Sequence, residues 1–171
     1  MASTTTAPSS LASHSPSNSH PSSDTSRPQA GEGENTTQPP LVMQIIVDRQ
    51  LVKSPDWKTG PLMVQSAHAA VAVITKTLAR SKNTRDYVSE ANLEKMHKVV
   101  LQLPAKVDLE SFSRTLREAK QATMSSGKEE FPDHHLWIEQ PEGLPTCLAL
   151  EPNRKPAALV KVLKKCSLLR D

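Results

Sequence analysis

Aromatic side chains are scarce in this chain: five of its 171 residues are Phe, Trp or Tyr. Proteins that read single-stranded bases do so largely by stacking them on aromatic platforms, so the scarcity argues against that mode of binding. Cysteine is scarcer still, with only Cys147 and Cys166. Neither has a second metal-type ligand at zinc spacing. With no secretion signal in view, both are expected to be reduced, buried thiols of an intracellular protein. No apolar run approaches the roughly 18 residues needed to span a bilayer, so no membrane partner is expected. The five glycines form no phosphate-cradling loop, and there is no nucleophile elbow or zinc-binding helix motif.

What the chain has in excess is concentrated at its start. Residues 1–40 hold ten Ser, six Thr and six Pro, 22 of 40 positions. Such a stretch cannot bury apolar surface and is read as a disordered tail. Its single basic residue, Arg27, and its lack of amphipathic periodicity favour a solvating or phosphorylated tail over a transit peptide. The tail carries −2 and the chain +3, so residues 41–171 carry +5. A basic domain suits a polyanionic partner.

Taken in order, Leu41 to Val47 is an apolar run broken only by Gln44, as in a strand covered on both faces. A polar loop, 48–59, leads to a helix from Leu62 to about Ala79. Its apolar residues wrap much of its circumference, which predicts that it is well buried. Arg80, Lys82 and Arg85 cluster after its end. A shorter helix surrounds Tyr87 and Val88, and a second strand spans His97 to Leu103. Asp108 caps an amphipathic helix whose stripe is Leu109, Phe112, Leu116 and Ala119. His135 to Glu139 reads as strand three. The link to Thr146–Leu150 is too short for a crossover, so strand four runs antiparallel to it. Pro156 opens a last helix with Leu159, Val162, Leu163 and Cys166 inward. The expected fold is α/β, a mixed four-stranded sheet with three strands parallel and one antiparallel, layered with helices.

The chain is organised around Gly60 to Ala70, which follows the first strand and opens the long helix. Gly60 is expected to let the chain turn sharply. The helix start offers free N–H groups and the positive end of the dipole to an anion. Gln65 and His68, three residues apart, share one helix face, and the small residues Ser66, Ala67, Ala69 and Ala70 surround them.

Gly60, Gln65, His68 and Ala69 match the spacing of Gly-Lys-x-x-x-Gln-x-x-His-Ala, which opens the first helix of the archaeal-type peptidyl-tRNA hydrolase family. Lys98-Val99-Val100 matches that family's second strand. Thr146 matches the threonine of its Asp-Ala-Gly-x-Thr segment. Over residues 41–171 the chain resembles this family, and the Trp137-x-Glu139-Gln140-Pro141-Glu142 form is similar to its peptidyl-tRNA hydrolase domain-containing branch. Three positions depart from the pattern. Pro61 stands where the family has lysine, Asp48 where it has an arginine that Arg49 misses by one, and no aspartate precedes Thr146 at the family's spacing.

The resemblance implies hydrolysis of the ester joining a peptide to the terminal ribose of tRNA, in a cytoplasmic protein, with a mitochondrial location and a homodimer left open. It implies no metal and no organic cofactor. An ester is already activated, so the need is to orient a water, accept its proton and stabilise the oxyanion. His68 is the expected base or water holder. Gln65 and Thr146 are the expected donors to the carbonyl or ribose, and Glu139 or Glu142 stands in for the aspartate. Gly60, Lys98 and Arg49 are the expected tRNA-binding residues. The bland alternatives are a buried helix histidine bonded to a carbonyl, a polar helix start, a strand threonine and solvated turn acids. His134 and His135 are adjacent on a strand, so they are expected to point to opposite faces and not to share a metal. The alternative function is a non-catalytic RNA- or protein-binding module that kept the fold.

Overall fold

The computed structural model describes residues 38–127 and 130–170. Apart from 38–40, the Ser/Thr/Pro-rich tail lies outside the described residues.

The apolar run forms β1 (Val42–Val47), and every residue of it is buried. The expected loop after it contains a short helix, α1 (Arg49–Lys53), because Asp48 accepts a hydrogen bond from Gln50 N at 2.8 Å and caps it. Helix α2 spans Thr59–Thr77, starting earlier than expected. Pro61 sits in its first turn, where the missing N–H would have had no helical partner anyway. The shorter helix divides into α3 (Lys82–Tyr87) and a 3-10 segment, Glu90–Lys95. Strand β2 is His97–Gln102, and α4 is Leu109–Ser126. Asp108 caps α4 by accepting from Ser111 N at 2.7 Å, and Gly127 ends it with φ 63°. Strands β3 (His134–Glu139) and β4 (Leu144–Leu150) form the expected hairpin. Helix α5 is Ala157–Leu163, and β5 is Ser167–Leu168.

The sheet has five strands in the order β3-β4-β1-β2-β5, which corrects the expected four. Among the described residues only β1 and β2 pair in parallel. Strand β4 lies antiparallel between β1 and β3, so β3 keeps the direction of β1 without touching it. Burial decides which arm of the hairpin goes inside. Thr146 to Leu150 on β4 are all buried, as a central strand requires, whereas β3 carries His, Trp and Glu and tolerates the edge. The added strand, β5, pairs Leu168 with Leu101 on β2. It forms because α5 stops at Leu163, so Cys166 follows the helix while packing on the same core.

Two cores flank the sheet. Met43, Ile45 and Val47 of β1 and Cys147 and Ala149 of β4 meet Ala69, Ala70 and Val73 of α2. On the other face Ile46, Leu148 and Leu150 meet Leu109, Phe112 and Leu116 of α4 and Leu159 of α5. Each such large aliphatic side chain contributes about 1.5–3 kcal/mol by leaving water. Helix α2 is not buried all round. Its small residues Ala69 and Ala70 face the sheet and allow close approach, while Met63 and Val71 are 68% and 63% exposed.

Candidate active site

Helix α2 runs along the sheet from the Thr146 end of β4 toward His135 on β3, as its side-chain contacts at Gln65 and Lys76 show. At the Thr146 end the hairpin ladder slips. Trp137 pairs with Cys147, but Ile138 pairs with Pro145, so Thr146 has no partner and forms a bulge. Pro145 cannot donate to a ladder, and a bulge is one of the few places where a sheet accepts it. The bulge also redirects Thr146. Side chains alternate along a strand, and Leu148 and Leu150 face α4, so a regular β4 would turn Thr146 toward α4. Instead Thr146 Oγ1 donates to Gln65 Oε1 of α2 at 3.0 Å.

Both members of this pair are buried, Gln65 at 4% and Thr146 at 1% exposure. The bond fixes the Gln65 amide with its oxygen occupied. The amide Nε2 makes no hydrogen bond among the described residues and remains a donor. Next along α2, Ser66 Oγ donates to Leu62 O at 3.4 Å and accepts from Cys147 Sγ at 3.9 Å. Burial pushes the Cys147 thiol up to about 12, so it is protonated at neutral pH and offers no nucleophile.

His68 lies one turn beyond Gln65. It is exposed and makes no hydrogen bond among the described residues, unlike a packed helix histidine. Its ring stacks on Trp137, with centroids 4.6 Å apart and planes 19° from parallel. Trp137 Nε1 in turn donates to Glu139 Oε2 at 2.8 Å. The indole therefore joins His68 to Glu139. His135 lies tilted to the same indole at 6.3 Å, and Lys76 Nζ donates to His135 Nδ1 at 2.8 Å. Burial first, then the Lys76 charge, lowers the His135 pKa, consistent with a neutral acceptor.

The structure thus brings Gln65, His68, Thr146 and Glu139 to one place, with Trp137 as the unforeseen member. An aromatic two residues before an acid on one strand shares its face, and that pattern is the signal that could have found it. Glu142 is exposed in the β3–β4 turn and takes no part in the cluster. Arg49 opens α1, just beyond β1. Gly60 lies in the first turn of α2, where an added Cβ would meet nothing within 4 Å. It makes no sharp turn, because the chain enters the helix through Lys58. Lys98 stands apart: it pairs with Met43 near the start of β1, and its ammonium lies 5.4 Å from the Tyr87 ring centroid. His134 and His135 do face opposite ways, His134 Nε2 meeting Ser113 Oγ of α4 at 2.8 Å. Among the described residues no three His, Cys, Asp or Glu side chains converge as a metal site would need.

The sequence profile of the family described as Peptidyl-tRNA hydrolase PTH2 matches residues 41–169. A human protein named "Putative peptidyl-tRNA hydrolase PTRHD1" is 34% identical over 131 residues, covering 76% of this chain and 83% of its own. The mouse protein of the same name is 34% identical over 132 residues, with the same coverage of 76% and 83%. The chain belongs to the peptidyl-tRNA hydrolase PTH2 family.

Proposed function

We propose, from the premise of that family membership, that the protein hydrolyses the ester between a peptide and the terminal ribose of tRNA. The products are free peptide and reusable tRNA, a step in translation and ribosome rescue. The observation that carries this reading is the Thr146–Gln65 bond beside an exposed His68, on the next turn of α2, whose ring nitrogens make no hydrogen bond among the described residues.

The chemistry follows from the atoms left free. A water held by a His68 ring nitrogen attacks the ester carbonyl carbon and passes its proton to the imidazole. The carbonyl oxygen becomes an oxyanion and meets the Gln65 Nε2–H, whose direction the Thr146 bond sets. Collapse breaks the bond to the ribose oxygen, which takes the proton back from His68. A general base supplies roughly 10²–10⁴-fold and an oxyanion donor roughly 10²–10³-fold. Trp137 holds the imidazole plane, and Glu139 holds Trp137. With its carboxylate engaged by the indole, Glu139 acts through Trp137, and Glu142 carries no assigned role.

Two observations favour the second reading, a module that binds RNA or protein without cleaving. Pro61 removes the cation that the family pattern has beside the site, and Glu139 is bonded to Trp137 instead of facing a substrate. A single-turnover assay of the full chain with ester-linked peptidyl-tRNA separates the two. Release of peptide is expected. Stable retention of intact peptidyl-tRNA would sink the hydrolase reading and leave the binding module.

A further inference from the structure

The basic cluster that follows α2 has no part in the site above. It lies at the other end of the sheet, in the wall of a cavity of about 790 Å³. Arg80, Lys82 and Arg85 come from the α2–α3 junction, Lys120 from α4, and Arg154 and Lys155 from the β4–α5 link. Three acids share the wall, Glu130, Asp133 and Glu151, against six cations.

Pairing cancels only part of the excess: Lys82 is paired with Asp86 at 2.5 Å, and the other cations outnumber the carboxylates they meet. Asp133 takes both Arg80 and Lys120, so one carboxylate faces two cations. The guanidinium of Arg85 donates to the carbonyls of Leu78 and Ala79, and that of Arg154 to the carbonyl of Pro39. Carbonyls orient these cations without neutralising them. The Lys155 ammonium has no partner among the described residues.

The Lys155 backbone is the most telling feature. Its φ is 55°, the left-handed region. That conformation costs a residue with a Cβ roughly 1–2 kcal/mol, and glycine nothing. The link is held there by Asn153, which is 3% exposed. Asn153 Oδ1 accepts from Lys155 N at 2.9 Å, while its Nδ2 donates to Gln44 Oε1 and Glu151 O, each at 2.7 Å. A site where glycine would be cheaper instead carries a lysine, on a clamped loop, in a cavity lined by five other cations.

We propose that this cavity is a second RNA-binding site, taking the sugar-phosphate backbone of the tRNA body while the esterified 3′ end lies at Gln65 and His68. The proposal rests on the hydrolase reading for its substrate. The two sites stand at opposite ends of β3 and β4, strands of six and seven residues, about 20 Å apart at roughly 3.3 Å per residue. A nucleic acid reaching past its own terminus covers that span. Phosphate is the fitting chemistry because the cavity offers charge and guanidinium donors but no exposed aromatic.

The test uses the full chain and uncharged tRNA. Arg154→Glu with Lys155→Glu should weaken tRNA binding by about tenfold and reduce the slope of log affinity against log salt by about 1–2. The kcat/KM for full-length peptidyl-tRNA should fall by a similar factor relative to that for a short 3′-terminal ester fragment. Lys155→Gly guards against misfolding: it relieves the left-handed backbone, so it should be at least as stable, yet it should still bind tRNA less tightly. Wild-type affinity in both variants overturns the cavity and leaves the hydrolase reading intact. A wild-type protein that cleaves neither substrate, with variants that still lose tRNA, overturns hydrolysis and keeps the cavity.

Discussion

Two histidines on opposite sides of the sheet, His134 toward α4 and His68 on α2, sit in different surroundings. On the α4 face, His134 and Ser113 bond to each other among Leu109, Phe112 and Leu116. On the α2 side, Gln65 is bonded to Thr146 through its amide oxygen alone, and the exposed His68 stacks on Trp137 of edge strand β3 with its ring nitrogens making no hydrogen bond among the described residues. A histidine hydrogen-bonded within a packed layer helps hold the fold together, whereas an exposed one with unengaged ring nitrogens is available to a ligand. The α4 face should therefore answer mutation in stability and the α2 face in rate.

The largest effect belongs to the α4 face. Leu116→Ala removes a fully buried side chain and should cost about 2–5 kcal/mol in urea unfolding, while any activity left tracks the folded fraction. Loss of activity without loss of stability would erase the contrast between the faces.

Acid tests the same face through His134. Burial first, with the Arg117 charge next, lowers its pKa to about 4. Above the ordinary histidine value near 6.5 the group is neutral in both states and stability does not depend on it. As pH falls from about 6.5 to about 4, the unfolded chain takes up a proton that the folded protein refuses. Stability should drop across that window by about 3 kcal/mol, at roughly 1.4 kcal/mol per pH unit, and the contribution should level off below it. His134→Gln should flatten the profile. A wild-type unfolding midpoint unchanged from pH 6.5 to 4 would contradict a buried neutral histidine.

His68→Ala probes the open face. Hydrolysis should fall roughly 10²-fold or more, with unfolding changed by no more than about 0.5 kcal/mol, as for a surface site. A stably folded variant with wild-type turnover removes His68 from the chemistry. Thr146→Val straddles both behaviours, because it leaves Gln65 Oε1 buried without its donor. It should lower stability by about 1–2 kcal/mol and also slow turnover as the amide loses its direction. If turnover drops only in step with unfolding, the bond is structural.

The smallest effect sharpens the comparison most. Trp137→Phe keeps a ring against His68 but deletes the N–H to Glu139, and it should reduce kcat by no more than about tenfold, near the value of one hydrogen bond to a charged group. Trp137→Leu should do worse at equal stability. Equal rates for the two variants would show that stacking does not orient the imidazole.

Much was legible in local spacing. Three-residue spacing on a helix placed Gln65 and His68 on one face, period-two alternation sent His134 and His135 to opposite faces, and Asp108 announced α4. These arise from neighbours within a turn or a strand, whose geometry follows from the backbone alone. Even there, the apolar circumference of α2 misled: bulk suggested burial for Met63 and Val71, but close approach to the sheet selected Ala69 and Ala70.

The remainder was decided between distant segments. Either arm of the hairpin could have paired with β1, and only the burial of Thr146 to Leu150 put β4 inside the sheet and β3 at its edge. The bulge that turns Thr146 toward Gln65, 81 residues earlier in sequence, depends on a ladder slip set by both strands together. The indole between His68 and Glu139 needs α2 docked on β3, and the basic cavity needs the α2–α3 junction, α4 and the segments before β3 and after β4 to converge. Sequence by itself determines contacts whose separation is a helical turn or a pleat. Pairings whose partners are chosen by packing exist only once the whole sheet has closed.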